Sequence, residues 1–333
     1  MNTDPADGRI FERHDGGKGL GEMMERLLAA QKEDWPELKK NYAGLAERRT
    51  RTLADAAEGR ILLQFNPARI RSTMAKLDSR SLRERPCFLC LRNLPPEQKG
   101  ILYRGGYIIL CNPYPIFDRH FTIACVEHRP QNIADSLEQL LLLAGDAGPK
   151  FTVFYNGPQC GASAPDHLHF QACPSGQLPI EHESVNNGPP LFRPGNAQVR
   201  VAESAGRGII AVRAPGIDGA KAATAGVIAA LRHPAPAGPS GDAEPLVNII
   251  AREEDGEFLV LVFPRRKFRP DSFYLEGDKK IAVSPAAVEL GGLIVTPMQK
   301  DFDALDFSRA VSILREVSLD GESIIRLLKN RSF

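Results

Sequence analysis

The stretch Asp166-His167-Leu168-His169-Phe170-Gln171 constrains this chain more than any other. Polar side chains at 167, 169 and 171 alternate with Leu168, Phe170 and Ala172, and a period of two predicts a half-buried β-strand. In such a strand His167, His169 and Gln171 share one face while the apolar residues enter a core. Three nitrogen-bearing side chains on one face are costly to bury without partners, so the strand is expected to line a cleft. A loop of small residues, Gly161-Ala162-Ser163-Ala164-Pro165, precedes it. Small side chains let backbone N–H groups approach an anion, which makes Gly161 and Ser163 candidate anion contacts. The bland alternative is a pair of surface histidines on an amphipathic edge strand.

The rest of the composition narrows the classes open to the chain. Its 333 residues, 43% of them hydrophobic, are enough for two core-forming units. With 42 basic and 41 acidic residues the net charge is +1, which disfavours a general nucleic-acid or membrane-surface binder. No run of eighteen apolar residues occurs, and residues 1–19 are polar and glycine-rich, unlike a signal peptide or an anchor. The expected compartment is the cytoplasm. Six cysteines are too few for a disulfide scaffold. Cys111 and Cys125 lie in apolar runs and read as core residues, while Cys160 and Cys173 flank the histidine strand.

Periodicity divides the chain into three parts. Residues 1–60 read as an N-terminal helical segment, with Met23, Leu27, Leu28, Leu38, Tyr42 and Leu45 at helical spacing. A first unit, 61–194, holds strands at 61–65, 106–111, 121–126 and 151–155, a helix at 133–143 and then the histidine strand. A Gly/Pro/Asn-rich connection over 174–194 leads to a second unit, 195–333. That unit has a strand at 208–212, an Ala-rich helix at 220–231, and two runs, 246–251 and 258–263, around the hairpin signal Asp255-Gly256. Similar elements in both halves suggest an internal duplication and an α+β fold of mostly antiparallel sheet with packed helices.

Several residue sets can carry chemistry. A neutral imidazole at His169 is a competent nucleophile, and its attack on phosphorus gives a phosphoramidate. Gln171 can donate an amide hydrogen bond to a phosphoryl oxygen but cannot hand over a proton, which suits transfer to an existing oxyanion better than to water. Cys87-Phe88-Leu89-Cys90 has a spacing that can chelate zinc, with His128 and His167 as the further ligands; a core pair without metal is the alternative. After the first strand, Asn66-Pro67-Ala68-Arg69 and Arg71-Ser72-Thr73 form a basic, hydroxyl-bearing turn in which Arg69 can clamp a phosphate. Arg265-Arg266-Lys267 ends a strand, and Arg265 and Lys267 are expected either at a phosphate or on a solvated face. His120 reads as structural, and nothing promotes His14, His182 or His233. No Walker-type loop and no Gly-x-Gly-x-x-Gly fingerprint occurs, which disfavours kinase and nicotinamide chemistry.

The run His167-Leu168-His169-Phe170-Gln171 resembles the His-x-His-x-Gln motif of the nucleotidyltransferase and phosphorylase branch of the histidine-triad superfamily. That branch includes galactose-1-phosphate uridylyltransferase, ADP-glucose and GDP-hexose phosphorylases, and diadenosine tetraphosphate phosphorylase. Tyr155-Asn156-Gly157, the segment Asn66 to Arg69, and Ser284 to Gly292 with Lys300-Asp301 add to the resemblance, which spans about residues 61–303 in patches. It implies two histidine-triad-like units in one chain, the first with the active site. It implies His169 as the nucleophile that takes a nucleoside monophosphate, Gln171 as the phosphate holder, and Asn156 and Ser163 as nucleotide and phosphate contacts. Cys87, Cys90, His128 and His167 match a structural zinc set of the uridylyltransferases. The implied substrate is a nucleoside diphosphate sugar or a dinucleoside polyphosphate, the acceptor phosphate or a sugar phosphate, and the assembly a monomer or homodimer. A hydrolase using water, or a non-catalytic zinc-stabilised nucleotide-binding protein, remains the alternative.

Overall fold

A computed structural model describes residues 7–55, 58–70, 84–183, 189–232 and 244–330. Its centre is a ten-stranded sheet. From edge to edge the strands are β1 (Ile10–His14), β4 (Gly100–Tyr103), β5 (Tyr107–Cys111), β6 (Phe121–Cys125), β8 (His169–Pro174), β7 (Phe151–Asn156), β11 (Val247–Glu254), β12 (Glu257–Pro264), β10 (Arg207–Pro215) and β9 (Gln198–Ser204). All neighbours are antiparallel except β1 and β4. The α+β reading with mostly antiparallel sheet therefore holds.

The order of strands shows the duplication directly. Inside the flanking strands β1 and β4, the sheet reads toward the middle as β5-β6-β8-β7, and from the opposite edge as β9-β10-β12-β11. In each half a helix connects the second strand to the third: α3 (Leu137–Ala147) between β6 and β7, and α4 (Ile217–Leu231) between β10 and β11. The halves fuse where β7 pairs with β11, and there Asn156 lies directly opposite Asn248. The β11–β12 turn carries Asp255 at φ 53° and Gly256 at φ 82°, the two positive values that a tight turn matching the strand twist requires.

Alternation along the strands sorts side chains onto two faces. On one face Phe170 and Ala172 of β8 join Ile249, Val212 and Ile123 beneath α1 (Leu20–Asp34), α2 (Pro36–Ala43), α3, α4 and α8 (Gly321–Lys329). On the other, Cys173, Ile209, Ile250 and Leu261 pack against a second sheet and the short helices α5 (Ala287–Leu290), α6 (Gln299–Ala304) and α7 (Phe307–Val317). Each fully buried Phe, Ile or Leu in these layers contributes about 1.5–3 kcal/mol.

The second sheet departs from the sequence reading. It has three strands, β13 (Leu293–Thr296), β3 (Gly59–Phe65) and β2 (Arg49–Asp55), with β13 parallel to β3. The strand at 61–65 thus pairs with the C-terminal part of the chain instead of joining the histidine strand's sheet. The stretch read as helical contributes β1 and β2 as well as α1 and α2. Among the described residues no helix is long and apolar enough to cross a membrane.

Candidate functional site

The face of the sheet away from α3 and α4 opens into a cavity of about 490 Å³, the size of a pocket that encloses a nucleotide-sized ligand. His169, Gln171 and Asn156 line it, with Gly161 and Ser163 of the preceding loop and Arg69. The second half supplies a further wall from Phe268, Arg269, Ser284, Ala286 and Glu289. Trp35 and Glu37, where α1 meets α2, close another side. Gly161, at φ 95°, is packed so closely that a Cβ there would lie 2.5 Å from the Cβ of Ala286. The loop therefore abuts the second half with no room for a side chain.

His169 begins β8 and is almost fully buried. Its backbone is clamped by Gln131, which donates to the His169 carbonyl (2.9 Å) and accepts from the His169 N–H (2.8 Å). The ring Nδ1–H donates to the His167 carbonyl at 2.8 Å. This hydrogen bond fixes the tautomer, so Nε2 carries the lone pair toward the cavity. Burial lowers the imidazole pKa to about 4, keeping it neutral and nucleophilic at physiological pH.

Gln171 is aimed in the same manner by a residue whose role the sequence reading left as structural. His120 is fully buried beside Phe117 and Phe154, and burial lowers its pKa to about 3. Its Nδ1 accepts from the Ile116 N–H (3.2 Å), so its Nε2–H donates to Gln171 Oε1 (2.9 Å). With its oxygen engaged, Gln171 presents its NH₂ group to the cavity. Asn156 follows the same logic. Its Oδ1 accepts from Asn248 Nδ2 and from the Ala287 N–H, both at 2.8 Å, so it too offers an NH₂. The cavity thus gathers one lone-pair nitrogen and two amide donors, a set suited to an electrophilic phosphoryl group.

The other expected residues are distributed as follows. Arg69 donates to the Tyr114 carbonyl (2.6 Å), and its charge acts on His120 and on Glu289. Asn66 is buried outside the cavity lining and donates to the Pro115 carbonyl (3.1 Å), bracing the 112–116 loop, which does line the cavity. Ser72 and His233 lie outside the described residues. Arg265 and Lys267, expected at a phosphate or on a solvated face, are both absent from the cavity wall. Arg265 is buried, and its guanidinium donates to Asn248 Oδ1 (2.7 Å) and to the carbonyls of Pro285, Lys267, Phe268 and Val317. It reaches the cavity through Asn248 and Asn156 and through the carbonyl of Phe268, a wall residue. Lys267 is paired with Asp271 and Glu316.

Just outside the cavity, His167 stands before the first residue of β8 and turns toward Cys87, Cys90 and His128. One donor atom from each of these four lies within 4.8 Å of every other. Cys87 Sγ to His167 Nδ1 is 3.2 Å, Cys90 Sγ to His128 Nδ1 3.3 Å, Cys90 Sγ to His167 Nδ1 3.7 Å, and the two Nδ1 atoms are 3.2 Å apart. A tetrahedral ion with bonds of about 2.0–2.3 Å sets ligand edges of roughly 3.3–3.8 Å, so the cluster can hold a metal. His167 Nε2–H donates to the Cys125 carbonyl at 2.7 Å, the outer hydrogen bond that turns Nδ1 inward as a ligand. Burial and the neighbouring Cys87 push the Cys90 thiol up to about 11, and a cation between them would reverse that balance.

Comparison with known proteins bears on the fold that carries this site. Residues 27–174 match a domain of unknown function (DUF4922), and residues 249–329 match a GDPGP1-like C-terminal domain. Curated protein sequences give no match. Among solved structures, yeast Ap4A phosphorylase aligns with a TM-score of 0.54 at 13% identity, covering 85% of this chain and 96% of that one. Its complexes align comparably: with Ap4A, TM-score 0.53, 15% identity and 85% and 96% coverage; with AMP, 0.51, 16%, and 86% and 96%. The fold is therefore that of yeast Ap4A phosphorylase. The strand bearing His169 and Gln171 is β8, and the second half has the same order of strands without a matching histidine motif.

Glu289, on the same cavity wall, had no role assigned in the sequence beyond lying in the Ser284–Gly292 segment. It is buried, its Oε2 accepts from the Ala286 N–H (2.9 Å), and burial raises its pKa from 4.5 to about 7. The folded protein therefore holds a proton that the unfolded chain releases at lower pH, so stability is lost as pH rises from about 4.5 to 7. In thermal denaturation Glu289→Gln should gain on the wild type across that window. A melting-temperature difference that stays constant with pH would contradict the assignment.

Proposed function

We propose that the protein is a nucleotidyltransferase of the phosphorylase type, acting on a nucleoside diphosphate sugar or a dinucleoside polyphosphate. The observation that carries this reading is the fixed tautomer of His169, whose Nε2 lone pair shares a cavity with the NH₂ groups of Gln171 and Asn156. The likeness to yeast Ap4A phosphorylase, solved with Ap4A and with AMP, supports a nucleotide as the ligand.

In the proposed cycle His169 Nε2 attacks the α-phosphorus, and the bond from that phosphorus to the bridging oxygen breaks. The sugar phosphate or nucleotide leaves with the electron pair as an anion and needs no proton from Gln171. The Nδ1–H remains on the His167 carbonyl and stabilises the positive charge that develops on the ring. Gln171 and Asn156 donate to the non-bridging oxygens, where one such donor is typically worth about 3–4 kcal/mol in the transition state. An oxygen of phosphate or of a sugar phosphate then attacks the same phosphorus, the P–N bond breaks, and its electrons return to Nε2. Acceptors that are already anionic fit a site in which no third histidine stands at position 171.

Zinc is the ion proposed for Cys87, Cys90, His128 and His167, because two thiolates with two imidazoles at tetrahedral spacing are its preferred donors. When bound it would supply structural cross-linking. These residues would tie the loop bearing Phe88 and Leu89, both on the cavity wall, to the residue two before His169.

Incubation with a panel of nucleotide sugars and dinucleoside polyphosphates should give an acid-labile, protein-bound nucleotide, and His169→Gly should abolish it. An adduct that survives this change removes the mechanism. Purified protein should contain about one zinc per chain, and Cys90→Ala should lose it. Full-length, folded wild type without metal would contradict the zinc assignment.

A further inference from the structure

Asn248 is the residue through which the second unit grips the amide donors of the first. It is fully buried on β11, and both polar atoms of its side chain are engaged. Its Oδ1 accepts from Arg265 Nη1 at 2.7 Å, while its Nδ2 donates to Asn156 Oδ1 at 2.8 Å and to the Cys160 carbonyl at 2.6 Å. Arg265 is occupied as completely: its five N–H groups are matched by Asn248 Oδ1 and the carbonyls of Val317, Pro285, Lys267 and Phe268. A guanidinium has no acceptor and keeps its charge, so the atom of Asn248 that faces it must be the oxygen. The amide nitrogen is thereby sent to Asn156, whose own oxygen must meet it. Turning the Asn248 amide over would set its NH₂ against the guanidinium and its oxygen against the Cys160 carbonyl. Both contacts are unfavourable, and burial makes them more so.

From this chain of bonds we propose that Asn248 and Arg265 are positioning residues for nucleotidyl transfer. They set the polarity of Asn156, so that it meets the ligand with its NH₂ and not with its oxygen. The inference rests on the phosphorylase reading and adds to it the task of a unit that carries no histidine motif. The other hydrogen bond to Asn156 Oδ1 comes from the Ala287 N–H, so the second unit supplies both contacts on that oxygen. The bond to the Cys160 carbonyl ties the same Asn248 amide to the residue before Gly161, at the root of the loop that carries Ser163. Neither Asn248 nor Arg265 lines the cavity, so the effect of Asn248 on a bound phosphoryl group passes through Asn156. An oxygen presented there would repel the non-bridging oxygens, whereas an N–H donor gains strength as charge develops on them. The effect therefore falls on the rate of the chemical step more than on nucleotide affinity.

The test uses the full chain and follows single-turnover labelling of His169 by the panel of nucleotide sugars and dinucleoside polyphosphates. Asn248→Asp has the same size and keeps an oxygen on Arg265, but it puts a second oxygen where Asn156 now finds a donor. Asn156 then turns its NH₂ inward and its oxygen to the cavity. Labelling at saturating nucleotide should slow by about a hundredfold, the cost of losing one such donor, while the half-saturating concentration changes by less than about threefold. In an Asn156→Ala background the same change should slow labelling by no more than about threefold further, because the residue it acts through is gone. Hydrogen exchange of side-chain amides in the wild type reads the same polarity and covers the case in which Asn248→Asp does not fold. The Asn156 NH₂, assigned by its loss in Asn156→Ala, should exchange freely with water in the cavity; an NH₂ protected there as a buried donor would overturn the inference. Labelling as fast in Asn248→Asp as in the wild type, or slowed equally in both backgrounds, would also overturn it and leave the phosphorylase reading standing. A wild type that no member of the panel labels would overturn both.

Discussion

One hydrogen bond sets the chemistry of this molecule: the ring Nδ1–H of His169 on the backbone carbonyl of His167. It decides which nitrogen carries the proton and therefore which one meets a ligand. The bond joins residues two apart in a chain that must be held extended for it to persist. Gln131 holds it on one side by closing a two-bond clamp on the His169 backbone. On the other, the His167 ring is turned away by the Cys125 carbonyl and by the cysteine–histidine cluster. Two histidines that look equivalent in the motif thus have opposite orientations and separate duties.

The duplicated sheet explains why a chain with one histidine motif retains two units. The seam between β7 and β11 puts Asn156 opposite Asn248, and a hydrogen-bonded line then runs from Arg265 through Asn248 to Asn156 and the cavity. The second unit has no histidine strand of its own. It gives the first a braced asparagine, the wall containing Arg269, Ser284 and Glu289, and the close contact of Ala286 with Gly161. A buried arginine with its donors fully engaged costs desolvation, and removing it would leave several buried acceptors unsatisfied. Arg265 is best described as a positioning residue.

Local pattern made one part of this site legible in sequence. The period of two, the Cys-x-x-Cys spacing and the small-residue loop are short-range features, and they placed His169, Gln171, Gly161 and Ser163 on the cavity; His167, expected on the same face as His169, instead stands ahead of β8 and turns toward the cysteines. The rest depends on contacts between distant segments. In the run from Arg265 to Arg269, charge alone cannot tell which residue faces the cavity; the turn after β12 sends Arg265 inward and leaves Arg269 on the wall. Trp35, Glu37 and Glu289 arrive through tertiary packing, and the parallel pairing of β3 with β13 joins strands more than two hundred residues apart. His120 had a faint signal, since a histidine just ahead of an apolar strand invites the question of what its nitrogens bond. Gln131 had none.

The central claim is the direction of one lone pair, and nitrogen-15 NMR of the imidazole side chains reads it most directly. With the His169 resonances assigned by their loss in His169→Gln, the account expects at neutral pH a proton on Nδ1 and an unprotonated Nε2. A proton found on Nε2 would contradict it, because the nitrogen facing the cavity could then not attack phosphorus.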